Sequence, residues 1–309
     1  MLSLFTHIIH IPLILFMLNV DPAGLACLAA IVDAASFEGA AQRLAITQSA
    51  VSHRLRNLEA SIGHPLVIRS RPITLTATGK LMLRYARQLN AMHIDLSRDL
   101  SQANRGTEER IPIAVNADSL ATWVLPALDP VVQTGVRLEI TVDDQDFTHE
   151  WLKQGTVLGC VSTNPHALQG CSATLLGTMR YVAAASPKLV EQHLSKGFDQ
   201  HTLSTTPFIV FNRKDDMQRQ WVSRVLNIKR PRLLESFVPS SRAMVQAIAL
   251  GWGIGVAPEL MLAPLIKSGR LTAIRPRTTI DVQLFWHRWM VSSGTLDLIG
   301  KALGRGINV

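Results

Sequence analysis

The chain has 309 residues, of which 47% are hydrophobic and 17% charged, with a formal net charge of +8 and a pI near 9.9. This composition excludes a disordered chain and allows two or three domains with cores of their own. Three cysteines, Cys27, Cys160 and Cys171, are too few and too far apart for a disulfide framework or a zinc site. A reducing, cytoplasmic setting is therefore expected.

Residues 1–20 contain no Lys, Arg, Asp or Glu. They lack the basic start and the small-residue cleavage site of a signal peptide. His7, His10 and Pro12 are unfavourable in a membrane-spanning helix, which needs about 20 apolar residues. Translation starting at Met17, which would leave residues 1–16 untranslated, explains this stretch best. An added hydrophobic tail, or an anchor that tethers the chain to a membrane, stays open as an alternative, although no membrane partner is expected.

Residues 21–78 carry the signals of three short helices and a hairpin. Asp21 before Pro22, then Ser36, then Thr47 are helix-capping residues, each followed by apolar residues at helical spacing. Gly and Pro punctuate residues 63–78, which predicts a β-hairpin wing, and a long helix is predicted from about Gly79 to Gln102. In the third helix the apolar face is Val51, Leu55, Leu58 and Ile62.

Positive charge is concentrated in this part of the chain. Between Gly39 and Ile94 the one carboxylate is Glu59, so the segment carries about +7 (8 − 1) of the total of +8. A basic segment of this kind favours nucleic-acid binding, because neutralising phosphates supplies most non-specific affinity for DNA. The basic residues are Arg43, Arg54, Arg56, Arg69, Arg71, Lys80, Arg84 and Arg87.

The polar face of the third helix fits the major groove of double-stranded DNA. Gln and Asn side chains read adenine, Arg reads guanine and Ser reads either, while a small Ala lets the helix approach the bases. Arg54 and the wing arginines are expected to contact phosphate instead. The predicted DNA-binding residues are Gln48, Ser49, Ala50, Ser52, His53, Arg54, Arg56, Asn57, Arg69 and Arg71.

The run from Phe37 to Ser52, FEGAAQRLAITQSAVS, strongly resembles the winged helix-turn-helix of LysR-type transcriptional regulators. The similarity continues through Leu58-Glu59, Pro65-Leu66 and Thr78-Gly79, and it covers the chain from about Val20. It implies a homodimer or homotetramer, a long linker helix and a two-lobed, periplasmic-binding-protein-like α/β effector domain. The implied domains are 21–78, 79–106 and 107–309, with one lobe at about 110–178 and 277–309 and the other at about 179–276.

The predicted linker helix has apolar residues at alternating spacings of three and four, the heptad pattern of a coiled coil. Packing of this helix on its own domain is the alternative. A dimer would present two DNA-binding heads to half-sites roughly 34–36 Å apart. The predicted dimerisation residues are Met82, Tyr85, Leu89, Met92 and Leu96.

From Ile111 the pattern changes to short strands that alternate with helices, which predicts α/β lobes with mostly parallel sheets. The strands are predicted at 111–115, 136–142, 157–161, 207–211, 233–238 and 254–257. One helix is predicted through Leu120 and Leu128, and another at about 147–153. A second group of elements begins near Tyr181.

The segment from Ala114 to Trp123, with Asp215-Asp216-Met217 and Trp286-His287-Arg288, is similar to the ArgP/LysG (IciA-like) branch. That branch implies lysine or arginine as effector, an amino-acid exporter or metabolic gene as target, and a possible contact with RNA polymerase. Backbone N–H groups at a helix start suit a carboxylate, and aspartates suit cations. Arg242 stands where the branch tends to have an acidic residue. The predicted effector-binding residues are Asn116, Asp118, Ser119, Asp144, Ser162, Asp216, Ser240 and Ser241.

Catalysis is not expected. The glycines of 251–255 precede a predicted strand instead of following one, so they do not match a dinucleotide-binding loop. The ten histidines have no metal-ligand spacing, and no cofactor is expected. A replication-origin or architectural DNA-binding protein with little effector dependence is the alternative function.

Overall fold

The computed structural model describes residues 20–100, 110–143 and 148–307, without the side chains of 98, 99, 143, 148 and 149. It divides into two compact units between Ala86 and Arg87, inside the helix predicted as a linker. The predicted extension 1–20 lies almost entirely outside the described residues, as does the predicted linker end near 106. The predicted domain and lobe boundaries stay predictions.

The first unit contains three helices and a two-stranded antiparallel hairpin, followed by the start of a long helix. The predicted helix starts are confirmed: the side chains of Asp21, Ser36 and Thr47 accept hydrogen bonds from backbone N–H groups of the helices that they precede. The long helix begins two residues earlier than predicted. The elements are α1 (Pro22–Ala34), α2 (Phe37–Arg43), α3 (Gln48–Ile62), β1 (Val67–Ile68), β2 (Thr74–Leu75) and α4 (Ala77–Asp99).

The second unit is a mixed α/β domain. Its first elements are β3 (Ile111–Asn116), α5 (Ala117–Thr122), α6 (Val124–Val132), β4 (Leu138–Asp143), α7 (Thr148–Lys153), β5 (Gly159–Ser162) and β6 (Cys171–Ala185). Then follow α8 (Pro187–His193), α9 (Gln200–Leu203), β7 (Pro207–Val210), α10 (Met217–Leu226), β8 (Leu234–Phe237) and α11 (Ser241–Ala249). The last are β9 (Ile254–Pro258), α12 (Glu259–Lys267), β10 (Thr272–Ile274), β11 (Ile280–Trp289) and α13 (Gly294–Gly306).

Two long strands connect two groups of shorter strands. In one group β3 lies between β4 and β5, and in the other β7 lies between β8 and β9, all in parallel pairs. β6 passes from the first group to the second and β11 returns beside it, antiparallel, from Ile280–Tyr181 to Trp289–Cys171. The remaining described pairs, β11–β5, β6–β9 and β10–β6, are antiparallel as well. The expectation of mostly parallel sheets was wrong, because the connecting strands pair antiparallel with both groups.

Local glycine chemistry sets the turn before β9. Gly251 has φ +86°, a backbone conformation that side chains with a Cβ rarely adopt. A Cβ on Gly253 would lie 2.6 Å from the carbonyl oxygen of Pro207, so only glycine lets the chain pass β7 here. These glycines therefore form a tight helix-to-strand turn, as predicted, and not a phosphate-binding loop.

Candidate nucleic-acid interface and effector cleft

Helix α3 is fixed in the first unit by its apolar face. Val51, Leu55 and Leu58 are buried, and α3 packs against α1 and α2. The Thr47 hydroxyl accepts a hydrogen bond from the Ala50 N–H (3.2 Å), and Gly63, with φ +76°, ends the helix. Since the two ends and the apolar face of α3 are fixed, the polar face of the helix has a defined orientation within the unit.

That opposite face carries the predicted recognition residues. Arg56 Nε donates to the Ser52 carbonyl (3.2 Å), and Asn57 Nδ2 lies 3.4 Å from His53 Nδ1. These contacts one helical turn apart orient side chains that are otherwise free to reach outward. The residues Gln48, Ser49, His53, Arg54, Arg56 and Asn57 are exposed, and Ala50 and Ser52 are half-buried.

The wing carries two of the predicted phosphate-contacting cations. Arg69 and Arg71, in the loop between β1 and β2, are exposed. The Arg69 guanidinium carbon lies 5.2 Å from the centroid of the Phe37 ring, a cation–π distance. This contact joins the wing to the start of α2, so the position of Arg69 is set by the fold.

Glu59, the acidic residue within the basic segment, forms hydrogen bonds that stabilise the wing. Its Oε1 accepts hydrogen bonds from the backbone N–H groups of Leu66 (2.8 Å) and Val67 (3.4 Å). It thereby ties the first strand of the wing to α3. From the sequence, Glu59 was a charge and part of the family resemblance, with no structural role predicted. A hydrogen bond to a residue seven positions along the chain leaves no local signal.

Arg43 and Arg87 contribute less charge to the exposed basic surface than the sequence count suggests. Arg43 forms an ion pair with Asp33 (3.3 Å), and Arg87 is buried, with 7% of its surface exposed. The charge available to phosphates is thus smaller than the sequence count of +7.

Helix α4 has a stripe of exposed apolar residues, but one of the predicted dimerisation residues does not belong to it. Tyr85, Met92 and Leu96 are each about half exposed. Leu89 is half-buried and belongs to the same stripe by spacing. Met82, in contrast, is only 6% exposed because it is packed inside its own unit. The exposed leucines Leu81 and Leu100 extend the stripe at its two ends.

The second unit contains a cleft between the two groups of strands. The carboxyl ends of β3 and β7 lead into it at Asn116 and Phe211, the position at which parallel sheets commonly bind ligands. Its inner pocket has a cavity volume of about 50 Å³. The inner pocket is lined by Asn116, Ala117, Asp118, Tyr181, Phe211, Asp215, Met217, Ser241, Met244, Val256 and Ala257.

Polar groups of this inner pocket come from both sides of the cleft. The Tyr181 hydroxyl donates to Asp118 Oδ2 (2.9 Å), which fixes the carboxylate on α5. The Asp215 carboxylate accepts backbone hydrogen bonds from Phe211 (3.1 Å) and Met217 (2.9 Å). Asn116 Oδ1 and Ser241 Oγ are buried and have no hydrogen-bond partner among the described residues. Because Asn116 and Ser241 line the pocket, a ligand bound there can supply the missing partners.

The structure brings some of the predicted effector residues together and separates others. Asn116, Asp118 and Ser241 line the inner pocket, and Ser240 caps α11 beside it. Ser119 and Ser162 are buried away from both described pockets of the cleft. The side chain of Asp216 is 57% exposed and pairs with Arg219 (3.6 Å), whereas its neighbour Asp215 lines the pocket. Asp144 lies outside the described residues.

An outer pocket with a cavity volume of about 500 Å³ adjoins the inner one, sharing Ala117, Phe211 and Ser241 with it. It is bounded further by Leu120, Ala121, Leu125, Val142, Pro239, Ser240 and Arg242. Because the two pockets share three residues, they are continuous. The outer pocket differs from the inner one in that its described lining has no carboxylate and includes Arg242.

The two units match two family models. Residues 23–80 match the bacterial regulatory helix-turn-helix protein of the lysR family, and residues 104–298 match the LysR substrate binding domain. The chain belongs to the LysR family of transcription regulators. As a LysR-family regulator it is a DNA-binding protein with an effector domain, and not an enzyme.

Individual LysR-family regulators are similar over nearly the whole chain. The HTH-type transcriptional regulator ArgP of Aeromonas salmonicida is 36% identical over 280 residues, 90% of this chain and 94% of that protein. The crystal structure of ArgP from Mycobacterium tuberculosis has a TM-score of 0.79 at 33% identity, covering 93% and 97%. Full-length LysG from Corynebacterium glutamicum with bound effector Arg has a TM-score of 0.67 at 32% identity, covering 93% and 98%. The resemblance to the ArgP/LysG branch is confirmed.

In the described part of the chain, no single helix combines the length and apolar character of a membrane span. Helices α1 and α2 reach that composition only as a pair bent by 117°.

Proposed function

We propose that this regulator binds lysine or arginine in the inner pocket and that binding changes its contacts with DNA at an exporter or metabolic gene. The observation that carries the proposal is the charge of the pocket. Among its described lining residues are two carboxylates, Asp118 and Asp215, and neither Lys nor Arg. A ligand with a net positive charge complements such a lining, and an acidic ligand does not. LysG, with bound arginine, is a relative that supports this choice.

The two buried polar atoms of the pocket that have no hydrogen-bond partner among the described residues also favour a basic amino acid. Asn116 Oδ1 accepts a hydrogen bond, which suits an ammonium or guanidinium donor. Ser241 Oγ donates or accepts and lies in the first turn of α11, where a carboxylate is favoured. An amino acid with a cationic side chain supplies partners for both atoms. Ligand binding is then stronger for the closed arrangement of the cleft, and this difference shifts the DNA-binding equilibrium.

The remaining assignments are part of the same proposal. Arg54, Arg69 and Arg71 contact phosphates. The other predicted residues of α3 contact base edges, namely Gln48, Ser49, Ala50, Ser52, His53, Arg56 and Asn57. The stripe of α4 joins two copies of the chain into a dimer, of which two form a tetramer. RNA polymerase is proposed as a further partner at the promoter, and the cytoplasm as the place of action.

A thermal-shift panel on the full-length protein tests the effector. We expect stabilisation by lysine, arginine or ornithine, and none by glutamate or leucine. At about 100 times the dissociation constant, the stabilisation should be roughly 2.7 kcal/mol. Asp118→Asn should lose this shift, and Asp216→Asn, which changes an exposed neighbour of the cleft, should keep it. No shift with any basic amino acid, or equal shifts with glutamate, would refute the proposal.

A further inference from the structure

The outer pocket has properties that a free lysine or arginine leaves unused. Seven of its ten lining residues are apolar. Two of these, Leu125 and Val142, are large side chains that are 51% and 46% exposed. Exposed apolar walls around a pocket favour an apolar occupant, because covering them removes that surface from water. A free basic amino acid has no apolar group beyond its own side chain.

Arg242 adds a positive charge at the same place. It lies in the first turn of α11, is exposed, and forms no hydrogen bond or ion pair with any described residue. The inner pocket thus has two carboxylates and neither Lys nor Arg among its described lining residues, and the outer pocket has seven apolar residues, two serines and one guanidinium. From inside to outside, a complementary ligand is cationic, then apolar, then anionic. A guanidinium binds a carboxylate with charge-assisted hydrogen bonds, which fixes the outer end of the ligand.

We propose that the cleft takes a dipeptide whose first residue is Lys or Arg and whose second residue is apolar with a free carboxylate. This inference rests on the proposed function, since the inner pocket must first accept a basic residue. The α-ammonium and the cationic side chain of the first residue lie toward Asp118 and Asp215. The second side chain lies against Leu125 and Val142, and the terminal carboxylate binds Arg242.

The order of the two residues follows from the charges. In a dipeptide with the basic residue second, the α-ammonium belongs to the apolar residue and lies toward Arg242, away from the two aspartates of the inner pocket. Like charges at short distance oppose binding, so this order is disfavoured. The isomers Lys-Leu and Leu-Lys, which have the same composition and the same net charge, are therefore expected to bind differently.

Isothermal titration of the full-length purified protein with lysine, Lys-Leu, Leu-Lys and Lys-Leu amide tests this inference. We expect Lys-Leu to bind about tenfold more tightly than lysine. We expect Leu-Lys and the amide, which lacks the terminal carboxylate, to lose that advantage. Arg242→Gln should remove the tenfold preference for Lys-Leu over its amide while leaving the affinity for lysine within about twofold. Arg270→Gln, at another exposed arginine of the same unit that lines neither pocket, is the matched control and should change nothing.

The outcomes separate the two proposals. Binding of lysine with no gain for Lys-Leu, as when a second copy of the chain covers Leu125 and Val142, overturns the dipeptide inference and leaves the proposed function standing. Equal affinities of Lys-Leu and Leu-Lys also overturn it. Failure of lysine, arginine and all dipeptides to bind overturns both.

Discussion

Replacing Glu59 by Ala separates the structural role of this residue from its charge. The substitution leaves the N–H groups of Leu66 and Val67 without their carboxylate acceptor. A hydrogen bond to a charged group contributes about 1.5–3 kcal/mol, and here one bond is well formed at 2.8 Å and the other is long at 3.4 Å. We therefore expect the wing to lose about 2 kcal/mol of local stability, which corresponds to about 30-fold faster amide exchange under conditions where exchange follows the opening equilibrium.

Hydrogen exchange in the full-length protein, followed on peptides that contain Leu66 and Val67, measures this loss. Glu59→Gln keeps a neutral acceptor and should give an intermediate effect. The DNA affinity of the Glu59→Ala variant is a second test, because a structural role and a purely electrostatic role of Glu59 predict opposite changes. If Glu59 acted only as a charge, removing it would strengthen DNA binding, because the segment becomes more positive. We expect weaker binding, since the wing is displaced; unchanged exchange together with tighter binding would refute this reasoning.

Three further predictions concern other parts of the chain. Arg71→Gln should weaken binding to all DNA sequences and lower the salt slope by about 1, whereas Asn57→Ala should cost about 1–3 kcal/mol on preferred sequences alone. Competition binding at several salt concentrations distinguishes these patterns, and the reverse assignment would contradict them. Leu96→Glu, in the exposed stripe of α4, should shift sedimentation from dimer toward monomer; an unchanged oligomer would exclude this stripe. Burial raises the pKa of the Cys27 thiol, with Arg54 opposing this effect, so iodoacetamide should label the folded protein slowly at pH 7 and the urea-unfolded protein rapidly.

Local signals in the sequence were sufficient for the helix starts of the DNA-binding unit and for the buried face of α3. The caps Asp21, Ser36 and Thr47 act on residues within three positions, and the apolar spacing of α3 reports its buried face directly. The same spacing argument placed Met82 in the stripe of α4 because periodicity does not distinguish burial within the chain from burial against a partner. Met82 is only 6% exposed, so it is buried within its own chain.

The fold of the effector unit depends more on pairing between strands that are far apart in the sequence. The long strands β6 and β11 pair over residues that are about a hundred positions apart, which no local pattern indicates. The predicted helix through Leu120 and Leu128 is two helices, broken at Trp123. Asp215 and Asp216 are adjacent and chemically identical, so only the structure shows that Asp215 lines the cleft and that Asp216 pairs with Arg219.

Footprinting tests the central claim, that a basic amino acid in the cleft alters DNA binding, most directly. DNA fragments selected by the purified full-length protein from a random library would be footprinted with no ligand and with saturating lysine, arginine or glutamate. We expect a footprint that changes its length or its protected positions with lysine or arginine and stays the same with glutamate. A footprint identical under all four conditions would contradict it.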